Sequence, residues 1–189
     1  YSNGIRVLRD AIEASSKNTT LVHYLGLCLV TIGKFQEGWK SIEFKWEEDD
    51  RRNSIWFKHA QKVSRGNRST QRLLLWRRRQ GIGEDIIFLS LVPEVKKMCD
   101  TLSVYVDPRL QNLCRRAMPE VKLIPDEKAL NQEDCDYHLP IQSLGGLIRN
   151  DISDFDRTVK GYLKADPERV EAIRNELQLD GKTLSLIHI

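Results

Sequence analysis

The chain of 189 residues has no apolar run approaching a membrane span, which needs ~18–20 residues, and its opening residues lack the basic, apolar, small-residue series of a secretory leader. The expectation is a cytoplasmic protein without a membrane span, for the stretch that begins at Tyr1 rather than at a methionine. Cysteine is scarce too. Cys28, Cys99, Cys114 and Cys135 stand far apart with no CxxC pair, so a zinc site or dithiol redox motif is not expected; they read as core thiols, and no metal is assigned. With 11 Gly and 6 Pro the chain is neither fibrous nor low in complexity. Its 40% hydrophobic and 30% charged residues describe an ordinary globular chain, long enough for one full domain and a small appendage.

A second absence is local. Between residues 51 and 80 there is no Asp or Glu, while Arg51, Arg52, Lys58, Lys62, Arg65, Arg68, Arg72, Arg77, Arg78 and Arg79 are all basic. Such a run can attract phosphate or nucleic acid. Residues 51–70, however, also carry Gly66, Asn67, Ser69 and Thr70, with only Trp56 and Phe57 as aromatics. They read as a solvated basic linker, and nucleic acid is not the expected partner.

What is present begins with helices. Ile5, Leu8 and Ile12 recur at helical spacing, then Val22, Leu25, Leu29 and Ile32 beyond the polar stretch at 15–20, with Gly33 placed to end that helix. Phe35, Trp39, Ile42 and Trp46 repeat the pattern. The last two helices make an antiparallel hairpin, and Gly26 and Gly38 fall where they would cross, so that the backbones can approach closely.

From Arg72 the period changes. "RLLLW" is a short continuous apolar run, followed by "GIGEDI" and by Ile86, Ile87, Leu89, Leu91, Val92 and Val95, which predict one buried helix ending near Met98. Strands follow at "LSVYV" (102–106) and "VKLI" (121–124), with a short fourth within 135–141; Asp107 and Pro108 open a helix carrying Leu110, Leu113 and Cys114. Alternating strands and helices predict an α/β fold with a parallel sheet. A further helix is expected from Pro167 to Leu177, capped by Asp166, with Val170, Ile173 and Leu177 inward, and a strand from Thr183.

The turn at "GIGEDI" has two chemical readings. As a dinucleotide fingerprint it has two glycines and an acid, Asp107, after the next strand, but Ile86 stands where the third glycine belongs. Glu84 and Asp85 would also compete with a pyrophosphate for the positive end of the helix. In the other reading the turn presents a carboxylate, kept anionic by the helix dipole, that accepts a proton from a hydroxyl. Helix capping alone explains the same two acids. Trp76 reads as packing more than as a sugar platform. His138, near the end of the fourth strand, could touch an acceptor, although local hydrogen bonding is the more ordinary use of such a residue.

Together "LGLCLVTIGKFQEGW" is similar to a tetratricopeptide repeat, a ~34-residue helical hairpin. A lone repeat buries too little, so further repeats are expected upstream. The ordered series "WKSIEFKW", "LLLW", "QGIGEDIIFLSLVPEV", "VYVDPRLQNL", "DYHLPIQSL" and "GYLKAD" resembles proteins that fuse such repeats to a GT-B glycosyltransferase-like domain, related to heptosyltransferases and to O-linked N-acetylglucosamine transferases. The resemblance implies tetratricopeptide helices over 1–50, the linker at 51–70, a Rossmann-like acceptor-side domain over 71–180, and the truncated start of a second domain at 181–189. It implies transfer of a sugar from a nucleotide-sugar donor, which is bound mainly by that second domain, so the chain would be a fragment inactive alone, with no cofactor of its own. Glu84, or failing it Asp85, would be the base; Gly81, Gly83 and His138 would line the acceptor site, and the repeat helices would bind protein or peptide. Arg79 stands where relatives have Glu, and Ser143, Leu144 and Gly145 replace Ser-Leu-Pro. The competing expectation is a non-catalytic interaction module on a Rossmann-like scaffold.

Overall fold

The computed structural model describes residues 2–15, 18–53, 61–62, 72–78, 81–155 and 161–177, with backbone only at 45–53 and 61–62. The side chain of Trp46, most of the basic linker, Arg79 and the expected strand from Thr183 lie outside what is described.

Three helices come first: α1 (Ser2–Ala14), α2 (Thr19–Thr31) and α3 (Phe35–Asn53). Asn18 starts α2, its side-chain oxygen accepting from the backbone N–H groups of Thr20 and Leu21 at 3.1 and 3.3 Å, which satisfies donors that the helix cannot. The helix ends at Gly33, whose φ of +84° suits a residue without Cβ. There the Gly33 and Lys34 N–H groups turn back to the carbonyls of Val30 and Leu29, a paired closure that fixes where the next helix begins. A Cβ on Gly26 would lie 2.7 Å from Ile42 Cγ1, and one on Gly38 2.6 Å from Val30 Cγ2. Contacts 26 to 42 and 30 to 38 run in opposite senses, so α2 and α3 form the expected antiparallel hairpin. Leu25, Leu29, Phe35 and Ile42 are buried along its seam, whereas Ile32, expected inward, is exposed because it sits at the helix end.

The remainder is α/β. Its strands are β1 (Gln61–Lys62), β2 (Arg72–Trp76), β3 (Thr101–Tyr105), β4 (Lys122–Ile124) and β5 (Tyr137–Pro140), all parallel, in the order β1-β5-β2-β3-β4. Leu73, Leu75, Leu102, Val104 and Leu139 point to one side, into a core completed by helices. Leu74, Trp76, Tyr105 and Ile124 form a smaller cluster with Leu130 of helix α7 (Glu127–Leu130) on the other. Burial on both faces explains why "LLL" is continuously apolar.

The single helix expected after the glycine turn is two: α4 (Ile82–Leu89) and α5 (Val92–Lys96). Pro93, in the first turn of α5, lacks the N–H and the room to continue from α4, so the chain breaks at Ser90 and Leu91. Ile87, expected in the core, is 67% exposed. After Asp107 a short 3-10 turn (Pro108–Leu110) leads into α6 (Gln111–Ala117); the turn buries Leu110 and the helix Cys114, as expected. A 3-10 turn (Ile141–Ser143) and α8 (Leu144–Ile148) follow β5. The last described helix, α9 (Pro167–Glu176), is capped by Asp166, which accepts from the N–H of Arg169, but its Val170, Ile173 and Leu177 are exposed rather than inward. The spacing is helical, but among the described residues these three side chains are not covered.

The hairpin and the sheet meet at α3 and α8. A Cβ on Gly145 would stand 2.7 Å from the Trp39 ring, whose indole N–H donates to the Arg149 carbonyl at 2.5 Å and whose edge meets Phe88 at 6.2 Å between centroids. Phe35 stacks at 5.0 Å on Phe155, and the Arg149 guanidinium lies 5.6 Å above that second ring while pairing with Glu94 at 2.6 Å. The Gly145 that replaces proline in the resemblance is therefore where a tryptophan of the hairpin is seated.

Candidate functional site

Strands β2 and β5 are neighbours in the sheet but not in sequence: the chain runs from β2 outward through β3 and β4, then crosses back to β5. In open parallel sheets the carboxyl ends at such a reversal are where ligands collect, because the connections leave in opposite directions. The glycine turn leaves β2 at this point, and the Ile141–Ser143 turn leaves β5 beside it.

Gly81 caps α4 with an extended backbone and offers no side-chain cap; its carbonyl accepts from the N–H groups of Glu84 and Asp85 at 3.1 and 3.3 Å. This bend turns the adjacent acids apart. Glu84 is exposed and Asp85 is fully buried. Asp85 accepts from Arg77 Nε at 2.7 Å on one oxygen and from Gln142 Nε2 at 2.9 Å on the other, so each oxygen has a donor and a buried carboxylate is accounted for. Burial pushes its carboxyl above the ordinary value, opposed first by the Arg77 guanidinium.

The network extends in two directions along the rim. On one side Arg77 reaches Asp107 at 3.5 Å, and Asp107 accepts from Arg109 Nε at 2.9 Å, the Arg109 backbone N–H at 3.0 Å and the second Arg109 terminal nitrogen at 3.0 Å. The guanidinium and N–H of Arg109 hold the Asp107 carboxyl down to about 2. With both oxygens engaged by its own 3-10 turn, Asp107 is not poised for a ribose, which weighs against the dinucleotide fingerprint. On the other side Gln142 Oε1 accepts from the Arg78 backbone N–H at 3.2 Å. The buried Arg78 guanidinium donates to Ser143 Oγ at 3.0 Å and to Glu43 Oε1 at 3.2 Å, and the Ser143 hydroxyl donates to Glu43 Oε2 at 2.7 Å.

Of the residues singled out from sequence, Gly81, Gly83, Glu84 and Asp85 come together at the turn. His138 pairs across β2 with Leu74, on the face that carries Trp76, and its Nδ1 accepts from the Trp76 indole at 3.2 Å. Trp76 is 8% exposed, with the Arg78 guanidinium 5.9 Å over its ring, so it packs as expected. Sequence reasoning missed Arg77, Arg78, Gln142 and Glu43 as parts of one site. The two arginines were absorbed into the basic run, although their place directly after an apolar strand, with acids just beyond a glycine turn, was a usable sign of ion pairing. Nothing local pointed to Gln142 or Glu43.

Among the described residues no group of three or more His, Cys, Asp or Glu is placed to hold a metal ion, and no helix is long and apolar enough to cross a membrane. Burial pushes the thiols of Cys114 and Cys135 up to about 11, which keeps them protonated and poorly nucleophilic at neutral pH. Comparison with protein-family models, with curated proteins and with solved structures finds no match to the chain.

Proposed function

We propose that this chain is part of a tetratricopeptide-repeat protein with a GT-B glycosyltransferase-like domain, contributing the repeat hairpin and the acceptor-side sheet. The observation that carries the reading is the pair of glycines at the reversal of the sheet. Gly81 and Gly83 have no positive φ, and a Cβ at either would meet nothing within 4 Å. Neither strain nor crowding requires them, and the bare backbone they leave suits a ligand lying against it.

In this reading Glu84 is the base. It is exposed in the first turn of α4, where the helix dipole favours a carboxylate, while Asp85 beside it is committed to Arg77 and Gln142. The acceptor hydroxyl gives its proton to Glu84 as its oxygen bonds to the anomeric carbon of a nucleotide sugar; the bond from that carbon to the donor phosphate breaks, and the nucleotide leaves with the electron pair. Asp85 fixes the turn that aims Glu84. The donor is bound chiefly by the second domain that a GT-B fold requires, and the repeat helices engage protein or peptide. In the protein carrying both domains, Glu84→Gln is expected to lower nucleotide-sugar turnover by ~10²–10⁴-fold. Unchanged turnover in Glu84→Gln combined with Asp85→Asn removes the base from the scheme.

The second reading, a non-catalytic interaction module, is favoured by the internal satisfaction of Asp85 and Asp107, which is how structural rather than reactive carboxylates are held. Here the sheet is a scaffold, and no nucleotide sugar is turned over with or without Glu84.

A further inference from the structure

The bonds that hold Asp85 do not stop at the sheet. Gln142 donates from its amide nitrogen to Asp85 and accepts at its amide oxygen from the Arg78 backbone, while the Arg78 guanidinium and the Ser143 hydroxyl both close on Glu43 of α3. Gln142 is completely buried, and Arg78 and Ser143 are 5% and 8% exposed. A primary amide so placed has one orientation in which both ends are satisfied. Rotating it by half a turn would set its oxygen against the Asp85 carboxylate and its NH₂ against the Arg78 N–H, two donor or acceptor mismatches in a site that water does not reach.

We propose that Glu43, on the helical hairpin, is a positioning residue of the glycine turn, acting through Arg78 and Gln142 on Asp85. The hairpin is thereby part of the site rather than an appendage to it. Arg78 is the hinge of the relay: its side chain answers to α3, and its backbone N–H, in the segment leaving β2, answers to Gln142. A ligand that tilts α3 pulls on the Arg78 guanidinium, and the displacement reaches the amide that holds Asp85. Because Asp85 sits in the first turn of α4 beside Glu84, the aim of the exposed acid is set from the hairpin. The inference rests on the functional reading above only in naming the turn as the functional centre; the bonds and the test do not require catalysis.

The test is by NMR on the whole chain, following the amide resonances of Gly81, Gly83 and Glu84 and the Asp85 side-chain carboxyl carbon. Glu43→Gln keeps the side chain's size and removes its charge; Ser143→Ala opens the same triad from the sheet side. Both are expected to shift the turn amides and the Asp85 carboxyl. Two controls separate a relay from general loosening. Glu37→Gln, on the same helix as Glu43, removes the charge of an exposed pair with Arg9 of α1, and Val121→Ala loosens the core beside β4 without touching the hairpin or the Glu43, Arg78 and Ser143 cluster. Both are expected to leave the turn resonances in place. Shifts confined to residues 39–47, 78 and 143 in Glu43→Gln and Ser143→Ala overturn the proposal, as do equal turn shifts in Val121→Ala. In the protein carrying both domains, loss of nucleotide-sugar turnover in Glu43→Gln without movement of these resonances would likewise overturn the proposal while leaving the catalytic reading standing, and movement in a two-domain protein that turns over no nucleotide sugar would do the reverse.

Discussion

Helices α3 and α9 carry apolar residues at the same kind of spacing, Phe35, Trp39 and Ile42 in one and Val170, Ile173 and Leu177 in the other, yet they have opposite fates. In α3 Phe35 and Ile42 are 8% and 2% exposed; in α9 all three are 40% exposed or more. Helical period therefore does not separate them. What separates them is the surface opposite. Helix α3 meets Gly26 and Val30 of α2 on one side and the bare backbone of Gly145 on the other, so its large side chains sink between small ones. An amphipathic stripe defines a face that is able to be buried, and complementary relief decides whether it is.

The comparison extends to charge. The basic run was uniform in sequence, but Arg78 is buried against Glu43 and Ser143 and Arg77 is largely covered against Asp85, whereas the Arg72 side chain is 47% exposed. Asp85→Ala strikes the buried end hardest, because it removes the carboxylate that Arg77 Nε and the buried Gln142 amide both donate to; the expected loss is ~3–5 kcal/mol by urea unfolding, or failure to fold. A loss below ~1 kcal/mol, the scale of an exposed pair, would show that water reaches the pair.

Next in size is the hairpin crossing. Gly38→Val places side-chain atoms where Val30 Cγ2 and backbone already stand, and is expected to cost ~1–3 kcal/mol or more in thermal or urea denaturation. If it were neutral, α2 and α3 would not cross as closely as Gly26 and Gly38 imply. By contrast Ile173→Ser in α9 should change stability by no more than ~0.5 kcal/mol, since nearly half of that side chain is already in water. A drop of several kcal/mol would mean that α9 is covered in solution.

The smallest effect separates the two ends of the rim network. The folded Asp107 carboxyl, at about 2, lies below its ordinary 3.8, so the fold prefers the ionised form. That stabilisation is fully present above pH ~4 and is lost as pH falls through about 2. In Arg109→Gln the carboxyl's titration, followed by carbon NMR, is expected to move up toward 3.8, and the acid edge of the unfolding curve to flatten between those values. An unmoved midpoint would transfer the stabilising charge to Arg77.

Much of the architecture was legible from spacing and punctuation. Gly33 ended α2, Asp107 and Pro108 began a turn, and the four strands after Arg72 lie within a residue or two of their expected places, because period and cap chemistry are local. The break between α4 and α5 was also readable: Pro93 carried it, and the continuous apolar run concealed it. The site was legible only in part. "GIGEDI" named the right turn, but two adjacent acids look alike in a string, and which of them faces inward depends on where Arg77 and Gln142 stand.

By itself the sequence determined the helical hairpin, the alternation that makes a parallel sheet, and the glycine turn between β2 and α4, since each is announced by period and cap chemistry among residues close in the chain. Only the tertiary structure decided that Glu84 is exposed and Asp85 buried, that Glu43 closes on Arg78 and Ser143, and that Trp39 rests on Gly145. Those arrangements join residues as far apart as α3 and α8, and no local pattern encodes which distant donor a buried carboxylate will find.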